Sequence, residues 1–254
     1  MTRGTYFRLG LLAIAITIVT SVIMLIPDWN GEQASTAADD IDTLLDVMIV
    51  LSSFVFAVVM VMLGFCVWKY RAKPGDESDG KPIHGNTKLE IAWTVIPTII
   101  VLFAAGYSWV ILDDIESEAA DQMQINVTAQ QYKWTFEYPD EGVVSDELHV
   151  PVDQQLRLEM RAIDVLHSFW VPEWRIKRDL VPIAEGNPSG VDNVVRVTPN
   201  KEGAFQLVCT ELCGWGHPTM RANVVVESQQ EFDQWVSEQK KATPAQAAGA
   251  DAGS

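Results

Sequence analysis

Three stretches of this chain carry no charged side chain over the length needed to cross a lipid bilayer, and they restrict its fold more than any other feature. They are Leu9–Ile26 with 18 residues, Val47–Trp68 with 22 and Ile91–Leu112 with 22. At about 1.5 Å per helical residue, the longer two reach roughly 33 Å, enough for a hydrocarbon core of about 30 Å. Trp68, Trp93 and Trp109 stand near their ends, where interfacial aromatics sit. Both are read as transmembrane helices. The first stretch follows Arg3 and Arg8, as a signal peptide would, but it is long for a signal's apolar region. Its only small-residue cleavage pattern, Ser35-Thr36-Ala37, lies well past Pro27. Residues 1–28 are therefore read as a retained span or anchor, with a cleaved signal as the alternative.

Loop charge sets the orientation. Lys69, Arg71, Lys73, Lys81 and Lys88 lie between the second and third apolar stretches, which makes loop 69–88 cytoplasmic. Residues 29–44 then form an exported linker, residues 45–113 a transmembrane hairpin, and everything after Leu112 is outside. The whole chain carries 18 basic and 34 acidic residues, a net charge of −16. Residues 113–242 hold 23 acidic and 11 basic residues, so the acidity is concentrated in the exported part. That balance excludes nucleic acid as a main partner and favours a cationic one. Three cysteines exclude a disulfide-stapled scaffold.

The exported part reads as short strands. Gln124–Val127, Tyr132–Tyr138, Leu156–Arg161, Val191–Val197, Ala204–Val208 and Ala222–Val226 alternate or are rich in β-formers, with proline and glycine between them. The predicted architecture is a membrane-anchored all-β protein: two N-terminal transmembrane helices, or three with the first stretch, then a β-sandwich or barrel over residues 114–228. Ser228 is a candidate N-cap for a short helix over 229–241, with a disordered Ala/Gly-rich tail from Ala242.

The segment Cys209-Thr210-Glu211-Leu212-Cys213-Gly214-Trp215-Gly216-His217-Pro218-Thr219-Met220 places two thiols, an imidazole and a thioether within 12 residues. His167 lies upstream in a second loop. Zinc seldom takes a thioether, whereas thiolate, imidazole and a weak methionine suit copper in electron-transfer sites. Two cysteines four residues apart can bridge two copper ions, each with one histidine, leaving Met220 and a backbone carbonyl as axial donors. A Cys209–Cys213 disulfide and a zinc site are the competing readings. His149 stands near a strand end without a partner in the sequence, and His84 lies in the basic loop.

This segment, preceded by Asp164-Val165-Leu166-His167-Ser168-Phe169-Trp170-Val171-Pro172, resembles subunit II of the cytochrome c oxidases in the heme–copper oxidase superfamily. The resemblance runs over roughly residues 45–240. It includes Asn86–Pro97 at the start of the third stretch and the aromatic run Gln131–Tyr138. It implies a cupredoxin-like fold with the dinuclear copper centre CuA. Cys209 and Cys213 would bridge the metals, His167 and His217 would be terminal ligands, and Met220 and the Glu211 carbonyl axial ones. The Glu211 side chain would also hold a magnesium ion shared with subunit I. The resemblance further implies electron uptake from cytochrome c outside a bacterial-type plasma membrane and delivery to heme a in subunit I. Heme a and CuB would reside in subunit I alone, and subunit III is a further expected partner.

Glu90 matches a glutamate at the mouth of a proton path into subunit I. Tyr132 stands where the family usually has the tryptophan that receives the electron, with Trp134 two residues on as a second candidate. Glu137, Asp140 and Glu141 are candidate docking charges. The family's Gly-Arg after Ile-Pro is missing in Lys177–Ala184, and Glu185–Gly190 looks like an insertion. The alternatives are a quinol-oxidase-type subunit II, which commonly lacks the copper ligands, a membrane-anchored copper carrier or chaperone, and a nitrous oxide reductase copper domain. That last domain lacks two anchoring spans and has tryptophan between its cysteines.

Overall fold

The computed structural model describes the chain except for residues 1, 28, 30, 73, 76–79, 81, 83, 183–192 and 251–254, and for the side chains of 243–250. It divides into two compact units, one holding Met1–Trp29 and Asp42–Ile111, the other Asn30–Ile41 and Leu112–Ser254.

Among the described residues, the first unit is built from three helices: α1 (Arg3–Leu25), α2 (Ala38–Tyr70) and α3 (Thr87–Ile115). All three are long and apolar enough to cross a membrane. Their large apolar side chains are mostly exposed in the isolated chain, as expected of surfaces that face lipid or partner helices. α2 and α3 outrun the uncharged stretches because their ends accept polar residues. Asp39 and Asp40 sit in the first turn of α2, where carboxylates oppose the helix dipole. α3 starts on a reciprocal cap. Asn86 Oδ1 accepts from Leu89 N at 3.2 Å, and Glu90 Oε1 accepts from Asn86 N at 3.0 Å.

Among the described residues, the second unit carries ten strands in two five-stranded sheets. The first sheet runs β3 (Val143–Ser145), β2 (Lys133–Tyr138), β1 (Met123–Gln130), β5 (Leu156–Ala162), β8 (Val194–Val197). The second runs β4 (Leu148–Pro151), β10 (Arg221–Glu227), β9 (Gly203–Cys209), β6 (His167–Val171), β7 (Ile176–Leu180). Period-two alternation sets the inner faces. In β5, Leu156, Leu158, Met160 and Ala162 are buried while Arg157, Glu159 and Arg161 are not. These join Ile125, Val127, Trp134, Phe136, Phe169, Leu207 and Val224 in one core between the sheets. The architecture is the expected cupredoxin-like sandwich behind membrane helices.

Two expectations change. The segment after α1 is not a free linker. Ala34 and Ser35 are buried, Ala34 N donates to Glu173 O at 2.8 Å, Thr36 N to Thr198 O at 3.0 Å, and Asn200 N to Ala34 O at 3.2 Å. Small side chains let this strap lie flat on the sandwich, held by backbone bonds. At the other end, α4 runs Gln229–Ala250 rather than stopping at Lys241. Beyond Lys241 the sequence is rich in alanine, the strongest helix former. The Ser228 cap is observed: Ser228 Oγ accepts from Glu231 N at 3.3 Å, and Glu231 Oε2 accepts from Ser228 N at 3.0 Å.

His149, without an evident partner in the sequence, has three in the fold. Its Nδ1 is 3.0 Å from Glu227 Oε1, its Nε2 is 3.7 Å from Glu147 Oε2, and its ring stacks on Trp235 of α4 at 4.3 Å. Buried Tyr138 donates its hydroxyl to His149 O at 2.9 Å and accepts from His149 N at 2.8 Å. Burial raises the Tyr138 hydroxyl above the ordinary phenol range; the backbone bond to His149 opposes that and the Glu227 charge adds to it.

Candidate metal centre

The donors converge at one end of the second sheet. Cys209 ends β9, and the loop that follows returns Met220 to its side, closed by Cys209 N donating to Met220 O at 3.1 Å. His167 opens β6, whose Phe169 pairs with Cys209 across the ladder. The sequence places His167 in a loop; the structure places it on the first residue of a strand, a stiffer mount. Within the metal loop, Gly214 adopts φ 128° and His217–Thr219 make one 3-10 turn. Together these carry the chain from Cys213 to Met220.

Cys209 Sγ lies 3.9 Å from Cys213 Sγ and 3.9 Å from His167 Nδ1. Cys213 Sγ lies 3.7 Å from His217 Nδ1 and 3.8 Å from Met220 Sδ. The Glu211 carbonyl oxygen is 3.4 Å from Cys209 Sγ. All six residues expected at the copper site therefore meet. His167, Cys209, Cys213 and Met220 are buried, and His217 is half-buried. Both thiols are free. Burial first, and Cys209 beside it second, push the Cys213 thiol up to about 11, so a metal must displace that proton to bind.

The sequence gives no prominence to Asp164. Its Oδ1 sits 2.8 Å from His167 Nε2 and its Oδ2 accepts from Gln131 N at 2.7 Å. A carboxylate only accepts, so the imidazole proton is on Nε2 and the lone pair on Nδ1 faces the sulfurs. Burial acts to raise the Asp164 carboxyl, but bonds from Gln131, His167 and Val165 outweigh it and hold the group below its usual range. Gln131 adds a second tie, its Nε2 donating to Cys213 O at 2.5 Å. One carboxylate among the exported acids gives no signal in sequence beyond its place three residues before His167. The set of two thiols, two imidazoles, a thioether and a carbonyl on a rigid sheet end fits a copper pair by softness.

Residues 28–111 match the family described as cytochrome C oxidase subunit II, transmembrane domain, and residues 141–229 match its periplasmic domain. The chain is 32% identical over 275 residues to cytochrome c oxidase subunit 2 of Thermostichus vulcanus, covering 84% of this chain and 81% of that one. The chain belongs to the cytochrome c oxidase subunit II family. The Synechocystis cytochrome c oxidase subunit 2 is 28% identical, with 90% and 82% covered. A solved periplasmic domain of subunit II from Bradyrhizobium japonicum is 29% identical, covers 48% of this chain and 96% of its own, and superposes with a TM-score of 0.43.

In this subunit II chain the other sequence candidates fall in different places. Tyr132 is 40% exposed and packs on the metal loop. Trp134 is 1% exposed, with its ring edge-on to His167 at 6.3 Å, so no docking protein can touch it. Burial on the inner face of β2 removes it as a surface contact. Glu137, Asp140 and Glu141 lie towards or beyond the far end of β2 from Tyr132, the full strand spanning about 20 Å. Glu137 accepts from Asn126 Nδ2 at 3.1 Å, and Glu141 pairs with Lys240 at 3.1 Å. They do not rim the metal loop. Glu90 caps α3, and the altered 183–190 segment lies outside the described residues.

Proposed function

We propose that this chain receives electrons from cytochrome c at a dinuclear copper centre and delivers them to heme a of subunit I in a proton-translocating terminal oxidase. The observation that carries this reading is the meeting of five side-chain donors, two of them free thiols 3.9 Å apart. When bound, the copper pair supplies a one-electron couple with its charge spread over two ions.

The chain's own residues supply the rest. Cys209, Cys213, His167 and His217 would hold the copper pair, with Met220 and the Glu211 carbonyl as its weaker donors. Asp164 keeps the His167 proton on Nε2. The β6–β9 ladder limits ligand movement between oxidation states. The Glu211 side chain, half-buried on the metal loop, would hold magnesium at the contact with subunit I. Glu90 guards a proton entrance on the cytoplasmic side, in addition to its capping bond. The sandwich faces outward from a bacterial-type plasma membrane, and its acidity steers a basic donor.

The test is anaerobic mixing of the purified oxidase with reduced cytochrome c. Wild-type complex should take one electron per copper pair before heme a is reduced, at a rate that falls as salt rises. A Cys209→Ser, Cys213→Ser complex should bind the cytochrome without accepting its electron. Equal rates in both complexes would contradict the proposal.

A further inference from the structure

The most exposed large hydrophobic side chain among the described residues is on the metal loop itself. Trp215 is 100% exposed, and one residue separates it from Cys213 on one side and from His217 on the other. An indole left wholly in water gains nothing from folding and keeps its whole surface for a partner, in a residue type enriched at interfaces. Its mount is built rather than loose. A Cβ on Gly214 would lie 2.5 Å from Tyr132 Oη, and one on Gly216 would lie 2.5 Å from Tyr132 Cγ. The Tyr132 ring is thus pressed against the backbone on both sides of Trp215. The φ of 128° at Gly214 turns the chain there. Leu212 at 78% exposure, Ile163 at 57% and Leu166 at 44% are further exposed apolar side chains on the two loops that Asp164 and Gln131 tie together.

We infer that Trp215 is the contact through which the electron donor docks and transfers its electron, with Tyr132 as the brace beneath it. This deepens the function proposed above and rests on it. The occupant is a c-type cytochrome presenting an apolar heme edge within a basic rim. The apolar face around Trp215 meets that edge, and the exported charge of −12 attracts the rim. One electron leaves the donor's ferrous heme, which becomes ferric, and reduces the metal pair by one. No bond forms and no proton moves. The path from the indole runs through a single glycine to either ligand. Tyr132 keeps its ring against the glycines, which leaves it less surface for a partner than Trp215 has.

The test uses the assembled oxidase with Trp215→Ala, Trp215→Phe and Tyr132→Phe. Stopped-flow reduction is followed with two reductants: basic mitochondrial-type cytochrome c, and hexaammineruthenium(II), which needs no docking surface. Trp215→Ala should slow the cytochrome reaction by about tenfold or more, as loss of a central aromatic contact does. It should leave the ruthenium rate and the copper paramagnetic signal unchanged. Trp215→Phe should recover most of the rate, and Tyr132→Phe, which keeps a ring against the glycines, should lose less of it than Trp215→Ala. Calorimetric titration of the full-length chain before metal loading should show weaker binding of oxidised cytochrome c to Trp215→Ala. If Trp215→Ala disturbs the copper signal, Trp215→Ser with an intact signal decides. Unchanged cytochrome rates in every Trp215 variant would overturn the inference and leave the proposed function standing. Loss of co-purification with subunit I would also overturn it, assigning the indole to that interface. Failure of the wild type to accept electrons from cytochrome c while ruthenium still reduces it would overturn the proposed function instead.

Discussion

Asp164 Oδ1 and His167 Nε2 are 2.8 Å apart, and this bond decides which face of the imidazole meets the sulfurs. With the proton held on Nε2, Nδ1, which lies 3.9 Å from Cys209 Sγ, is free for a metal. Asp164→Asn keeps the shape but can offer its amide N–H to Nε2, which favours the wrong tautomer. Copper affinity, measured by competition with a chelator, should fall by about 10–100-fold, as for loss of other outer-sphere partners. Unchanged affinity would mean that the β6 backbone alone orients the ring.

Met220 is fully buried with its sulfur 3.8 Å from Cys213 Sγ. Leucine conserves its volume, so Met220→Leu should cost less than about 1.5 kcal/mol of stability. A weak axial donor tunes a copper site without holding it. The variant should therefore keep a dinuclear signal and shift its reduction potential, read by spectroelectrochemistry. Loss of copper would make Met220 a principal ligand.

Gly216 has φ −85°, which any residue adopts, so only the Tyr132 ring forbids a side chain there. Gly216→Ala should destabilise the copper-loaded chain by about 1–3 kcal/mol, the usual cost of overpacking. Tyr132→Ala in the same chain should relieve much of that, a coupling that a double-mutant cycle measures by thermal unfolding. Additive losses would place the clash elsewhere.

Tyr138 gives the sandwich an alkaline limit. Its hydroxyl is held neutral by burial and loses its proton more readily in the unfolded chain, near 10.0. Because the folded value is raised, stability is complete below about pH 10 and falls as pH rises above it. Denaturant midpoints measured between pH 8 and 11 should drop in the wild type. Tyr138→Phe should flatten that drop, while costing about 1–3 kcal/mol at neutral pH for the unpaired His149 amide. A pH-independent wild type would contradict the assignment.

The spans and the candidate copper donors were readable because both rest on rare events: 22 uncharged residues in a row, and five such donors in two short segments. Strands with clean alternation, such as β5, were equally plain. β7 was not, because Ile-Lys-Arg-Asp-Leu buries only its two ends. The strap at Ala34 and Ser35 escaped notice since small residues dock through backbone bonds, which leave no pattern. β6 looked like a loop because its aromatics face both sides. The burial of Trp134 and the distance of Asp140 and Glu141 from the metal loop depend on strand direction in the fold, which local sequence does not carry.

The most direct test is electron paramagnetic resonance of the full-length chain loaded with copper. Hyperfine coupling shared equally by two copper nuclei is the predicted result, and it should vanish in both Cys209→Ser and Cys213→Ser. A signal from a single copper, or none with the two thiols joined as a disulfide, would contradict the dinuclear centre and with it the role in electron uptake.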